Sequence, residues 1–126
     1  MSSTNPSATA NIDDRELDHL ARLADDWWNP NGKFKPLHKL GPARLGFIRD
    51  RVLAHFNRPD GTRPLAGLKV LDIGCGGGLI SEPLQRLGGE VTGIEPTEAN
   101  IGAARAHAAA AGLAIDYRVA TAEGLS

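Results

Sequence analysis

Residues 69–78 read Lys-Val-Leu-Asp-Ile-Gly-Cys-Gly-Gly-Gly, and this stretch decides the fold. Lys69 to Ile73 is a short apolar run with β-branched residues, which predicts a strand. Gly74 to Gly78 follows as a glycine loop, and Leu79 to Leu87 is predicted helical, with Pro83 in its first turn or at a kink. Glu90 to Ile94 is a second strand. Thr97 is placed to cap a third helix that runs to Ala111, and Gly112 supplies the stop. Ala114 to Val119 is a third strand. Strand, helix, strand, helix, strand predicts an α/β fold with a doubly wound, mostly parallel sheet.

Working back from the loop, Asn57 to Leu68 is rich in proline and glycine and reads as a connection. A helix is expected from Pro42, with Leu45, Ile48, Val52 and Phe56 as its apolar stripe. An earlier helix is expected from about Asp14 to Trp28, with Asp13 and Glu16 at capping-box spacing. Asn29-Pro-Asn-Gly32 ends it. Residues 1–10 are small and polar and are expected to be disordered. Three regions result: 1–10, a helical lead-in over 11–57, and 58–126 as the sheet-bearing part.

Hydrophobic residues at 41% and charged residues at 23% fit a soluble globular chain rather than a disordered one. A formal net charge of -1 gives no bulk electrostatic attraction to nucleic acid, so no nucleic-acid partner is expected. Cys75 is the single cysteine, which excludes an intrachain disulfide. It reads as a small packing residue, because no activating partner can be named. No apolar run spans a bilayer, and the first residues lack the marks of a signal peptide. A cytoplasmic protein is expected.

The chemistry is concentrated around the loop. Gly74, Gly76 and Gly78 lie where a doubly wound sheet binds ligands, at the carboxyl end of a strand and before a helix. The dinucleotide fingerprint G-x-G-x-x-G is not met, since position 79 is leucine. Asp72, two residues before the first glycine, would repel a pyrophosphate. It suits a ligand with a cationic end, such as the ammonium and sulfonium of S-adenosylmethionine (SAM). Glu95, 21 residues after Gly74, ends the second strand and suits the hydroxyls of a ribose. That feature is shared by nicotinamide-dinucleotide and SAM sites. The plain alternative for the loop is a tight turn.

Val70 to Gly78 resembles the first motif of class I methyltransferases, and Val91-Thr-Gly-Ile-Glu95 the second. The lead-in Trp27-Trp-Asn-Pro-Asn-Gly-Lys-Phe-Lys-Pro-Leu-His38, followed by Pro42 to Ile48, is similar to the ubiquinone biosynthesis O-methyltransferases of bacteria and mitochondria. The similarity runs from about Asn11 to the end of the chain. It implies a Rossmann-like fold, SAM as cofactor, and methylation of phenolic hydroxyls on polyprenylated catechol and hydroquinone intermediates. It also implies that Arg44 meets the cofactor, Gly74 its methionyl part and Glu95 its ribose. Glu95 stands where many members carry aspartate, and either acid can chelate a diol. Thr121-Ala-Glu123 resembles the region that meets adenine.

The same resemblance places the catalytic residues, and the ligands of any divalent metal, beyond residue 126. No metal site is assigned within the chain. In the family's larger sheet the first strand is central, so Val70, Leu71 and Ile73 are expected at an open edge here, as in a truncated chain. Such a chain alone is expected to bind cofactor poorly and to catalyse nothing measurable. Lys33, Lys35, His38, Lys39 and Arg44 form a basic run. It is read either as solvated or as contact with an anionic inner-membrane surface, where a lipid-tailed substrate and a ubiquinone-biosynthesis complex would be met. His38 as a base lacks a partner that the sequence can name. Trp27 and Trp28, at helical spacing, are expected to pack in the core or in a docking contact. Three other functions stay open: a class I methyltransferase with another small-molecule acceptor, a nucleotide-dependent oxidoreductase, and an inactive binding module.

Overall fold

A computed structural model describes residues 6–125, with side chains described for residues 14–124. Its elements are α1 (Pro6–Trp28), α2 (Lys35–His55), β1 (Lys69–Ile73), α3 (Ser81–Arg86), β2 (Glu90–Glu95), α4 (Glu98–Ala110) and β3 (Asp116–Val119). A short 3-10 turn, Glu123–Leu125, follows.

The three strands are parallel in the order β1-β2-β3. Val70 lies beside Val91 and Ile73 beside Ile94, while Gly93 lies beside Tyr117. The β-α-β-α-β part therefore stands where the sequence placed it.

Two apolar clusters hold the sheet to its helices. Cys75, Ile101, Ala104, Ala108 and Tyr117 form one, seating α4 on the sheet. The alanines of α4 let the helix approach closely. Leu65, Leu84 and Val91 form the other, and Leu45, Ile48 and Val52 of α2 pack against it with Val70. Leu71 and Ile73 are about half exposed or more, at 49% and 60%, as an open edge predicts. Val70 lies on the same edge strand and turns its side chain to the other face, against the second cluster.

Four local expectations are corrected. The first helix begins at Pro6, not near Asp14, so residues 6–10 are helical rather than disordered and Asp13 lies within the helix instead of capping it. Residues 1–5 lie outside the described residues. A proline suits a first helical turn. The second helix begins at Lys35, with Pro36 in its first turn, and Pro42 sits inside it. There Pro42 has no N–H to offer the carbonyl four residues back. Phe56, counted in the apolar stripe, is 52% exposed, because the helix ends at His55 and the chain turns away. Thr97 occupies the N-cap position of α4 with extended backbone, but its side chain makes no capping bond. Its backbone N–H donates to Glu95 Oε2 instead, at 3.1 Å.

Gly112 ends α4 as expected, at φ +72°, with the Leu113 N–H donating to the Ala108 carbonyl at 2.9 Å. Among the described residues no helix is long and apolar enough to cross a membrane.

Candidate functional site: the cleft at the carboxyl ends of β1 and β2

The parallel register brings the ends of β1 and β2 side by side, and the glycine loop bridges them. The Gly74 and Cys75 N–H groups both donate to the Ile94 carbonyl, at 2.8 and 3.0 Å. The Gly76 N–H donates to Glu95 Oε1 at 3.2 Å. Gly74 has φ +71° and open space where a Cβ would be, so this backbone can be approached closely.

Asp72 is half-buried at the end of β1. Its Oδ2 accepts the Ser81 hydroxyl at 2.6 Å. Burial raises its pKa above the ordinary carboxylate value, while the Ser81 hydroxyl and the Arg44 guanidinium pull the other way. A small cavity here is lined by Asp72, Gly74, Gly76 and Arg44, with Trp27 and Leu37 on its helical side. A carboxylate and a guanidinium facing one cavity match the ammonium and carboxylate of an amino acid.

Glu95 is buried at the end of β2. Besides Gly76 it holds the Thr97 N–H, and Asn100 Nδ2 reaches its Oε2 at 3.5 Å. A carboxylate offers about four acceptor positions, so capacity for a hydroxyl remains. The donor set thus fits SAM: Asp72 and Arg44 at one end, the open Gly74 backbone between, Glu95 at the other.

The structure brings Arg44, Asp72, Gly74 and Gly76 together around one cavity. Gly78 does not line it. A Cβ there would overlap the Tyr117 hydroxyl, so this glycine serves the packing of β3 under the loop. Glu95 borders the loop through Gly76 rather than through the cavity. Cys75 is buried, and its thiol is pushed up to about 12 by burial and by the Asp72 and Glu95 carboxylates, as a packing residue requires. His38 Nε2–H donates to the Trp27 carbonyl at 2.8 Å, which gives it a holding role. Lys33, Lys35 and Lys39 are exposed.

Four contributors were not legible beforehand. Ser81 orients Asp72, and Asn100 reaches Glu95. His107 Nδ1 meets Glu82 Oε2 at 2.6 Å, with Glu82 almost wholly buried. Trp28 stacks on His107 at 3.8 Å and donates its Nε1–H to the Gly77 carbonyl at 3.0 Å. His107 with Glu82 and Trp28 with Gly77 join residues far apart in sequence, while Ser81 with Asp72 and Asn100 with Glu95 are near neighbours brought together where a helix follows a strand end. The docking expected of the two tryptophans is realised on the glycine loop itself.

The comparisons agree with this geometry. The family profile described as a methyltransferase domain matches residues 70–126. A magnesium protoporphyrin IX methyltransferase from Synechocystis, solved with bound SAM, superposes with a TM-score of 0.56 over 96% of this chain and 57% of that one. At 22% identity it speaks for the fold alone. WbdD superposes with a TM-score of 0.52 at 31% identity, over 66% of this chain and 18% of that one. The chain has the Rossmann-like fold of the class I methyltransferases.

Within that class, the similarity is to ubiquinone biosynthesis O-methyltransferases. The protein of that name from Rhizobium johnstonii is 55% identical over 120 residues, covering 94% of this chain and 48% of the relative. Those of Sinorhizobium medicae and Brucella anthropi are 53% and 52% identical over 121 residues, each covering 95% of this chain and 49% of the relative. The chain spans about half the length of the curated relatives it matches.

Proposed function

We propose that this chain forms the cofactor-binding part of a SAM-dependent O-methyltransferase of ubiquinone biosynthesis. The observation that carries the reading is the pair of acids, Asp72 and Glu95, at adjacent strand ends on either side of a glycine loop. Similarity to relatives of that name supports the substrate class: phenolic hydroxyls of polyprenylated catechols and hydroquinones.

Bound SAM would supply an electrophilic methyl group on a sulfonium. The chain's own residues bind and orient. Asp72 accepts the ammonium, held in place by Ser81. Arg44 takes the carboxylate. Glu95 holds the ribose hydroxyls, and Gly74 lets the methionyl part lie against the backbone. Residues 58–126 act as the cofactor part and 11–57 as a helical cap. Among the described residues no group of three metal-ligating side chains converges. The chain covers 48% of the relative named above, and the base or metal for the phenol proton is assigned to the part of such a protein that it does not cover. The basic run around Lys33, Lys35 and Lys39 supports contact with an anionic membrane surface, where a prenylated substrate and partner enzymes of the pathway would be met.

The test is methyl transfer. The chain is incubated with methyl-labelled SAM and a short-prenyl catechol, alone and with the complementary half of a relative added. Label in the catechol only in the second case is expected. No label in either case, with both parts folded, contradicts the assigned activity. Turnover by the chain alone contradicts the division of labour.

A further inference from the structure

The cavity at Asp72 and Gly74 has a volume of about 150 Å³. Sites for drug-sized ligands run from about 300 to 1,000 Å³. It can hold one end of a molecule the size of SAM and no more. Trp27 is what bounds it towards Glu95. Its indole lies on the glycine loop: a Cβ on Gly76 would stand 2.6 Å from Trp27 Cη2, and one on Gly77 would overlap Cγ. These two glycines give the ring its seat.

Several contacts keep it there. The ring stacks on Phe34, with centroids 3.7 Å apart and planes 6° from parallel. Its carbonyl is held by His38 at 2.8 Å. Its Nε1–H donates to Asn100 Oδ1 at 3.2 Å, and the same Asn100 turns its amide nitrogen to Glu95 Oε2. The ring thus borders the cavity on one side and reaches the Glu95 carboxylate, through Asn100, on the other.

We propose that Trp27 gates the cleft: its seat on Gly76 and Gly77 and a ligand spanning Asp72 to Glu95 are mutually exclusive. The proposal rests on the cofactor reading given above. Opening gives up the seat on the loop and the bond to Asn100. It frees the loop backbone and leaves Asn100 able to turn away from Glu95, restoring an acceptor position. A gate that is mostly closed lowers apparent affinity by the fraction open.

The sequence holds two tryptophans, so Trp28→Phe leaves Trp27 as the sole reporter. Its emission is expected to be shielded from acrylamide before addition of S-adenosylhomocysteine (SAH). At saturation the quenching constant should rise about twofold, as the ring moves into water. By calorimetry, Trp27→Ala should bind SAH about tenfold more tightly than the unchanged chain, as removal of a closed state requires. Phe34→Ala, which only loosens the ring from outside, should shift affinity in the same direction and serves if Trp27→Ala does not fold. SAH binding with unchanged Trp27 quenching, or weaker binding by Trp27→Ala and Phe34→Ala, overturns the gate and leaves the cofactor reading standing. Binding by Trp27→Ala but not by the unchanged chain supports both. No SAH binding by any folded variant overturns the cofactor reading, and the gate with it.

Discussion

Glu95, at the end of β2, accepts the Gly76 N–H at 3.2 Å and so ties the second strand to the glycine loop that follows the first. The carboxylate also holds the Thr97 N–H at the start of α4. One acid therefore shapes the cleft and offers it an acceptor. Replacing Glu95 by alanine strands two backbone donors, at a cost of about 1–3 kcal/mol each where they remain buried. Glu95→Gln keeps an oxygen acceptor. Chemical denaturation should rank stability as unchanged chain, then Glu95→Gln, then Glu95→Ala. Equal stability of all three would show that the tie carries little.

Asp72 gives a pH signature. Its pKa is raised by burial in the folded chain. A raised folded value means that the stability attached to the protonated acid is complete below the ordinary carboxylate pKa. It is lost as pH climbs through the folded value. Asp72→Asn lacks that loss and can still accept the Ser81 hydroxyl through its amide oxygen. Its melting temperature should match the unchanged chain at pH 3 and exceed it at pH 7, while SAH affinity falls. A melting difference that is the same at both pH values would contradict the assignment of burial as the dominant influence.

His107 and Glu82 join α4 to α3. Glu82 is 1% exposed, so removing its partner leaves a carboxylate with no place in water. His107→Ala should cost about 1–3 kcal/mol, the scale of leaving a buried acceptor without its partner. Adding Glu82→Gln removes the stranded charge and should recover part of that loss. Urea titration of the two single variants and the double variant closes the cycle. Strictly additive losses would mean that the two side chains do not interact.

Cys75 should behave as a packing residue. With its thiol pushed up to about 12, the thiolate is scarce at pH 8. Iodoacetamide should modify the folded chain far more slowly than the chain in denaturant, as followed by mass spectrometry. Comparable rates would contradict both its burial and its surroundings.

How much of this was legible in the sequence follows the range of the interactions. The strands were readable because β1 and β2 are short apolar runs bounded by glycine. Asp72 and Glu95 were readable because strand ends and ligand sites coincide in this fold. Helix starts were less so. Pro42 reads locally as an opening residue, yet the helix had already begun at Lys35. Thr97 has the right residue type for a cap, but the neighbouring Glu95 carboxylate took the role of accepting an N–H. Gly78 reads as a third cofactor glycine, and the room it makes for Tyr117, whose place is set by β3, was not legible. Ser81 and Asn100 depend on how a helix is set against the strand end before it, and the seat of Trp27 on how distant elements meet, neither of which residue spacing announces.

The cleft between Asp72 and Glu95 is proposed to bind the SAM scaffold. Titration of SAH into the chain by calorimetry, with a nicotinamide dinucleotide as control ligand, tests it most directly. Saturable binding of SAH alone is expected, weakened about tenfold or more in Glu95→Ala, the equivalent of one hydrogen bond to a charged group. Absence of binding of either ligand by the folded chain and by folded Trp27→Ala alike, or a preference for the dinucleotide, would contradict it.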